Sequence, residues 1–401
     1  MNKTAVKRVI SLILIISFAP AASGCWNRHE LNTLGILGAL AVDMEGEKYK
    51  LTFEIIKPKP AAGSKKGGGE KDEPVKFIQS TGDSLLDALR NATLSFDRKI
   101  FMPHAKAYIF SEEVARKGLL NYIDFLQRDH ETRRTTYILI AKGSSAAEML
   151  NATGGIEDIP SNYIERLIEG QKFNSKSLSI RLLDFLKYYY ERGKQPVIGI
   201  IQKKEKAIKE AGGEKGKTEY ELSVEGAAVF FEEKLVGFLN GMETRGLNFI
   251  MGKMYSGIIV SPSPDGEGIN SVEILTSGSK NDVEIKGKEA KLKVKINITG
   301  MLEEELAKIG AKDPEVIEKI EKANSQEVKN EIEGVIGKVQ QEYKSDIFGF
   351  GEVVHRKYPG EWKKIQKDWN DIFSRAEVNV EVETKITRTG LTNDPVNKRE
   401  D

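Results

Sequence analysis

Apolar and polar residues alternate from Tyr49 to Ile56, with Tyr49, Leu51, Phe53 and Ile55 on one face, and this period of two predicts a strand. Leu37 to Asp43 predicts its partner, and Met44-Glu45-Gly46-Glu47 between them predicts a hairpin turn. Pro58 to Glu73 carries almost no apolar side chain to bury and predicts a mobile loop, whose Lys65-Lys66 pair reads as solvated, with contact to anionic lipid as the alternative. From Val75 the pattern switches between periods: strand Val75 to Gln79, helix Ser84 to Phe96, strand Ala105 to Phe110, helix Glu113 to Gln127, strand Tyr137 to Ala141, helix Ser145 to Asn151. One helix opening at Ser161 and another from Ser179 to Tyr190 precede the apolar strand Val197 to Ile201. Such alternation predicts a mixed α/β fold.

The Lys-, Glu- and Gly-rich run Lys203 to Lys217 reads as a linker and places a domain boundary there. Beyond it, Ser223 to Phe231 and Leu235 to Leu239 predict a hairpin, and strands follow at Gly257 to Val260, Val272 to Thr276 and Lys291 to Thr299. Pro314 opens a long amphipathic helix towards Tyr343, whose Val316, Ile320, Val328, Ile332 and Val335 recur at helical spacing. A helix from Pro359 to Phe373 and a strand from Ala376 to Thr387 complete the pattern.

At 401 residues the chain has room for two or three domains with ordinary cores, without disulfide or metal staples. Charge decides one question: 61 basic against 60 acidic side chains give a net +1, which leaves no excess to hold a phosphate backbone and argues against a nucleic-acid partner.

The start of the chain is the one strongly biased segment. Lys3, Lys7 and Arg8 precede the apolar run Val9 to Ala19, which Pro20 ends; the run is about half the length that a membrane span needs, and it reads as a cleaved secretory signal over residues 1–24. Ala22-Ser23-Gly24 sets small residues before Cys25, the only cysteine in the chain, in the pattern of a lipobox with Ala22 where Leu is usual. A lone thiol outside the cell can form no internal disulfide, whereas a thioether to diacylglycerol consumes it. Cys25 is therefore the expected lipid-attachment site, carrying diacylglycerol with or without an N-acyl chain. Each buried methylene contributes about 0.8 kcal/mol, so two acyl chains anchor durably where one dissociates.

Candidate chemistry is sparse. His29, His104, His130 and His355 lie far apart, and neither a zinc signature nor a phosphate-binding glycine loop is present, so no metal or further cofactor is expected. Gly82-Asp83-Ser84-Leu85 resembles the nucleophile block of the GDSL esterases, with Ser84 as nucleophile and Glu352-Val353-Val354-His355 as a distant match to the late Asp-x-x-His. The alternative is a helix cap, which an α/β unit needs at this point. Arg133-Arg134 and Glu112-Glu113 read as charge pairs on solvated faces and name no substrate.

Gly24-Cys25-Trp26-Asn27-Arg28-His29-Glu30-Leu31 resembles the mature start of the GerC-type lipoprotein subunits of spore germinant receptors, Gly-Cys-Trp-Asp-x-x-Glu-Leu, with Asn27 for the usual acid. The likeness continues through Arg98 to Phe101 with His104, Arg128-Asp129, Gly226-Ala227-Ala228-Val229-Phe230, Lys234 to Gly237 and Glu243-Thr244-Arg245-Gly246. It reaches Asp346-Ile347-Phe348-Gly349-Phe350-Gly351 and the helix bearing Trp362, and omits only the Gly- and Lys-rich stretch around Gly67. The resemblance implies three α/β domains, each a sheet with packed helices: 25–202, then a linker over 203–219, a small middle domain over 220–278, a C-terminal domain over 279–390 and a flexible tail over 391–401. It further implies a non-enzymatic receptor subunit, tethered through Cys25 to the outer face of the spore inner membrane and working beside membrane-spanning receptor subunits. A solute-binding lipoprotein of a transporter is the alternative that shares the signal, the anchor and the α/β exterior.

Overall fold

A computed structural model describes residues 33–57, 73–129, 131–152, 155–205, 220–264, 266, 268–305 and 313–388, together with Thr4, Lys7 and Ser11. Apart from Ser11 the signal run, with Cys25, the motif up to Leu31, most of the Gly67 loop, residues 206–219 of the expected linker and the 391–401 tail, lies outside the described residues.

Strands β1 (Leu34–Glu45) and β2 (Lys48–Ile56) form the expected hairpin, and β3 (Val75–Gly82) pairs with β2. Then come α1 (Leu85–Asn91), β4 (Lys99–Phe101), β5 (Ala107–Ser111), α2 (Glu112–Lys117), α3 (Leu120–Arg128) and β6 (Tyr137–Lys142). Helices α4 (Ala146–Leu150), α5 (Pro160–Glu169), α6 (Gln171–Asn174) and α7 (Leu182–Tyr190) lead to β7 (Val197–Glu205), β8 (Tyr220–Phe231) and β9 (Lys234–Leu239). All nine strands share one sheet in the order β3-β2-β1-β5-β6-β7-β8-β9, with β4 pairing the start of β1. Its centre, β1, β5, β6 and β7, is parallel, and its margins are antiparallel hairpins.

Period-two alternation in the central strands divides their side chains between two cores. Leu40, Val42, Tyr108, Phe110, Ile138 and Ile140 face one, whereas Ala39, Ala41, Ala107, Ile109, Leu139 and Ala141 face the other, beside Met149 of α4 and Ile164 of α5. Alanine on that face lets α4 and α5 lie close to the sheet.

The second half is built on a four-stranded sheet, β10 (Ile258–Pro262), β11 (Ile269–Lys286), β12 (Glu289–Glu305) and β13 (Glu377–Arg388). Between the sheets lie α8 (Gly241–Ile250) and the long α9 (Pro314–Lys338), followed by α10 (Phe350–Lys357), α11 (Pro359–Ile365) and α12 (Trp369–Arg375). One apolar core runs without interruption from Leu37 and Phe53 in the first sheet, through Leu247, Ile332 and Phe373, to Ile296 and Val380 in the second.

The mixed α+β class stands, with several differences of detail. Among the described residues there are two sheets where three were expected, because β8 pairs with the edge of β7 (Val197 opposite Val229) and so extends the first sheet instead of opening its own. Residues 203–205, expected in the linker, continue β7. The helix expected from Glu113 to Gln127 divides at Gly118, whose φ of 119° suits only glycine and whose successor Leu119 donates its N–H to the Glu233 carbonyl. The helix expected from Pro359 to Phe373 likewise divides into α11 and α12. Helix α8 went unpredicted because it is buried on nearly every side and so lacks a polar face to mark its period. Replacing Ile332, fully buried in the C-terminal third of α9, with Ala should cost about 2–5 kcal/mol in denaturant unfolding, whereas Glu333→Ala on the exposed face should stay within about 0.5 kcal/mol.

Candidate functional site

Asp346 has no exposed surface, so every acceptor on its carboxylate needs a partner inside the protein. It finds four donors: the backbone N–H groups of Gly349 (2.9 Å), Phe350 (3.2 Å) and Gly351 (2.7 Å), and the Trp369 indole Nε1 (2.9 Å). Burial raises its pKa above the usual carboxylate range, and the four donors pull it back. Gly351 is required because a Cβ there would sit 2.5 Å from Trp369 Nε1 and 2.6 Å from the Gly193 carbonyl. The Asp346 carbonyl accepts from the N–H of Gln195 (2.8 Å), just before β7, and so ties the C-terminal helices to the first sheet.

The neighbouring motifs reach the same seam. Tyr343, in the π-helical turn that ends α9, packs its ring so close to Gly237 that a Cβ there would lie 2.2 Å away, and its hydroxyl donates to the Phe238 carbonyl (2.9 Å). Lys338 donates to that carbonyl (3.1 Å) and to the Glu243 carboxylate (2.9 Å), while Glu243 also closes a capping box with Asn240 at the start of α8. Arg245, 4% exposed, donates Nε to Glu331 Oε2 (2.9 Å) and Nη1 to the Ile258 carbonyl (2.7 Å), joining α8, α9 and β10. Beside this seam burial lowers the pKa of Lys194 and of Lys253, whose ammonium groups lie over the Tyr188 ring. The motif residues Gly226 to Gly237, Glu243 to Gly246 and Asp346 to Gly351 thus serve to join two sheets.

A second group of motifs meets in an open cleft of about 510 Å³ beside β4. Leu86, Leu89 and Phe125 form its apolar wall, and Lys99, Arg128 and Asp129 its polar rim. Lys99 is ion-paired with Glu131, and Asp129 accepts the Glu131 N–H (2.8 Å), which shapes the turn after α3. At the carboxyl ends of β1, β5 and β6, where α/β sheets ordinarily bind ligands, another cleft of about 520 Å³ is lined by Asp43, Glu112, Glu113 and Glu148. Asp43 accepts the N–H groups of Ala146 (2.8 Å) and Ala147 (2.9 Å), so the first amides of α4 are already engaged by a carboxylate of the protein itself.

The catalytic look-alike resolves into a cap. Ser84 Oγ accepts the Asp87 N–H (3.1 Å) as the N-cap of α1. His355 sits on α10 with its ring 5.8 Å from that of Trp362, and His104 faces Phe101 at 5.6 Å, whereas His29 and His130 lie outside the described residues. Among the described residues no group of His, Cys, Asp and Glu side chains is placed to hold a metal ion, and no helix is long and apolar enough to cross a membrane.

Sequence reading missed Glu54. Its Oε1 accepts the Ser161 hydroxyl (2.8 Å) and N–H (3.3 Å), its Oε2 lacks a partner among the described residues, and a Cβ on Gly38 would collide with both side chains. Burial pushes its pKa up to about 7. The folded chain therefore keeps a proton that the unfolded chain releases near 4.5, so stability should fall by about 3 kcal/mol between pH 4.5 and 7 and stay level above. Glu54→Gln should flatten that slope in pH-dependent thermal unfolding. Arg245→Ala, which strands the buried Glu331 carboxylate, should cost about 3–5 kcal/mol in the same measurement.

Two family models match successive halves of the chain: "Spore germination protein N-terminal domain" over residues 27–203 and "Spore germination B3/ GerAC like, C-terminal" over residues 225–390. Spore germination protein KC of Bacillus subtilis (strain 168) is 26% identical over 400 residues, covering 98% of each chain. From the same organism, spore germination protein YndF is 28% identical over 97% of this chain and 98% of its own, and spore germination protein B3 is 24% identical over 97% and 99%. The crystal structure of the GerBC protein shares the fold, with a TM-score of 0.54 at 22% identity over 87% of this chain and 96% of that one. With both halves matched in order and the fold shared, this chain belongs to the GerC-type family of spore germination proteins.

Proposed function

We propose that this protein is a lipid-anchored, non-enzymatic subunit of a nutrient germinant receptor, held by Cys25 at the outer face of the spore inner membrane and assembled there with membrane-spanning subunits. The observation that carries the reading is the match of both family models in order along one chain, preceded by a lone cysteine in a lipobox-like setting. The described residues agree with a coupling role. Their buried charges, Asp346, Arg245 with Glu331, and Asp43, join elements to one another.

The mechanical consequence follows from the shared core. A partner that displaces the α3 and β4 region must move the second sheet with it, since the two sheets are joined through α8, α9 and the Asp346 clasp. The subunit would then pass on the position of a partner as a rigid body.

The experiment is Cys25→Ala in spores. The expected outcome is loss of the protein from the membrane fraction and loss of nutrient-triggered germination, with mass analysis of the native protein showing a diacylglycerol thioether at residue 25. Normal retention and germination in the variant would overturn the proposal.

A further inference from the structure

The chain enters the folded body at Thr33 and Leu34, where β1 begins. Seven residues separate Cys25 from Thr33, and the eight steps between them reach at most about 28 Å even when fully extended. An anchor at Cys25 therefore keeps this end of the sheet close to the bilayer, while the β1–β2 turn at Gly46 lies a twelve-residue strand away, about 40 Å.

The residues at the tethered end have unusual company. Leu34 pairs with Lys99, so Arg98 sits beside the exit point, and Phe96 packs over Gly35, where a Cβ would lie 2.5 Å from its ring. Leu94, two residues earlier, is 85% exposed. On the adjoining strands β5 and β6 the chain begins at the same end, and the loop before β6 carries Arg133 and Arg134, both exposed. The Arg134 carbonyl accepts the N–H of Leu183 (2.9 Å), which brings a second apolar side chain, 52% exposed, beside them.

Charge at this end is uneven. Lys99 pairs with Glu131 and Lys106 with Glu165, but Lys57, Arg98, Arg133 and Arg134 have no acidic partner among the described residues. The acids nearby without an ion pair among the described residues are Glu73, Asp97 and Asp184, and Arg133 lines a cleft shared with Glu165 and Glu169, which are paired with Lys106 and Arg166. Elsewhere Arg116 is paired with Glu112, Arg128 with Asp124 and Arg166 with Glu169, while Arg90, Arg192 and Arg388 are also exposed without an acidic partner among the described residues but lie singly along the chain. Unpaired guanidinium groups beside exposed leucines suit a surface that is anionic outside and apolar within, because arginine binds phosphate through paired donors and leucine enters the acyl boundary.

We infer that the end of the first sheet where β1, β4, β5 and β6 begin is a second, non-covalent membrane contact, with Arg98, Arg133 and Arg134 on anionic lipid headgroups and Leu94 and Leu183 at the acyl boundary. This contact rests on the anchoring reading for its orientation and adds to it a fixed face. The cleft at the carboxyl ends of the strands is then turned away from the bilayer, and the β4 cleft lies to the side.

The test uses the mature chain, residues 25–401, carrying Cys25→Ala, so that neither the lipid nor the apolar signal run contributes and any binding comes from the body, with vesicles of equal parts phosphatidylglycerol and phosphatidylcholine against phosphatidylcholine alone. Sedimentation should show salt-sensitive binding to the anionic vesicles only. R98Q/R133Q/R134Q should lower partitioning about a hundredfold, from roughly fivefold per arginine. K286Q/K288Q/K291Q, the same loss of charge at the far hairpin of the second sheet, should leave it nearly intact. Equal loss in the two triple variants, or no preference for anionic vesicles, would overturn the inference. Binding to native membranes but not to pure lipid would assign the arginines to a protein partner and overturn it too. A lipidated Cys25 in the native protein combined with no vesicle binding by Cys25→Ala leaves the anchor standing and removes this surface. An unmodified Cys25 with arginine-dependent binding does the reverse.

Discussion

A carboxylate with no contact to water must collect all its hydrogen bonds from the protein, and Asp346 does so from three consecutive amides and one indole. That demand fixes the turn from Gly349 to Gly351, the start of α10 and the position of Trp369 on α12, and the backbone bond to Gln195 ties them to the segment that enters β7. The Arg245–Glu331 pair sets α8 against α9 in a comparable way, since a desolvated ion pair holds only in a narrow range of geometries.

The two clasps explain why the molecule has one core in place of separate ones. Helix α8 presents Gly246 to α9 at a distance where a Cβ would meet the Glu331 carbonyl at 2.8 Å, so the helices touch backbone to backbone. In a body joined so closely the halves cannot shift independently without breaking buried polar bonds.

Several features were legible from spacing alone. The β1–β2 hairpin, the central strands and α9 followed from hydrophobic period, and Ser84 could be read either as nucleophile or as cap because both roles place a hydroxyl at a helix start. The strands β11 and β12 run far past the expected Val272 to Thr276 and Lys291 to Thr299 because their outer stretches, such as Ser277 to Asp282, bury little and so show no apolar alternation. The split at Gly118 and the buried α8 depend on contacts with distant residues, Glu233 in one case and α9 in the other, that no local window contains.

The sequence by itself determined the class of fold, the family likeness and the lone cysteine, because these are written in period, motif order and composition. Only the tertiary structure decided what the motifs are for. Asp346, Arg245 and Gly237 could have lined a site, and burial shows instead that they spend their hydrogen-bonding capacity or their missing side chain on joining two sheets. Arg133 and Arg134 read as an ordinary solvated pair until the strand order set them at the end of the sheet where the chain enters, since charge acquires a direction only when the fold places it.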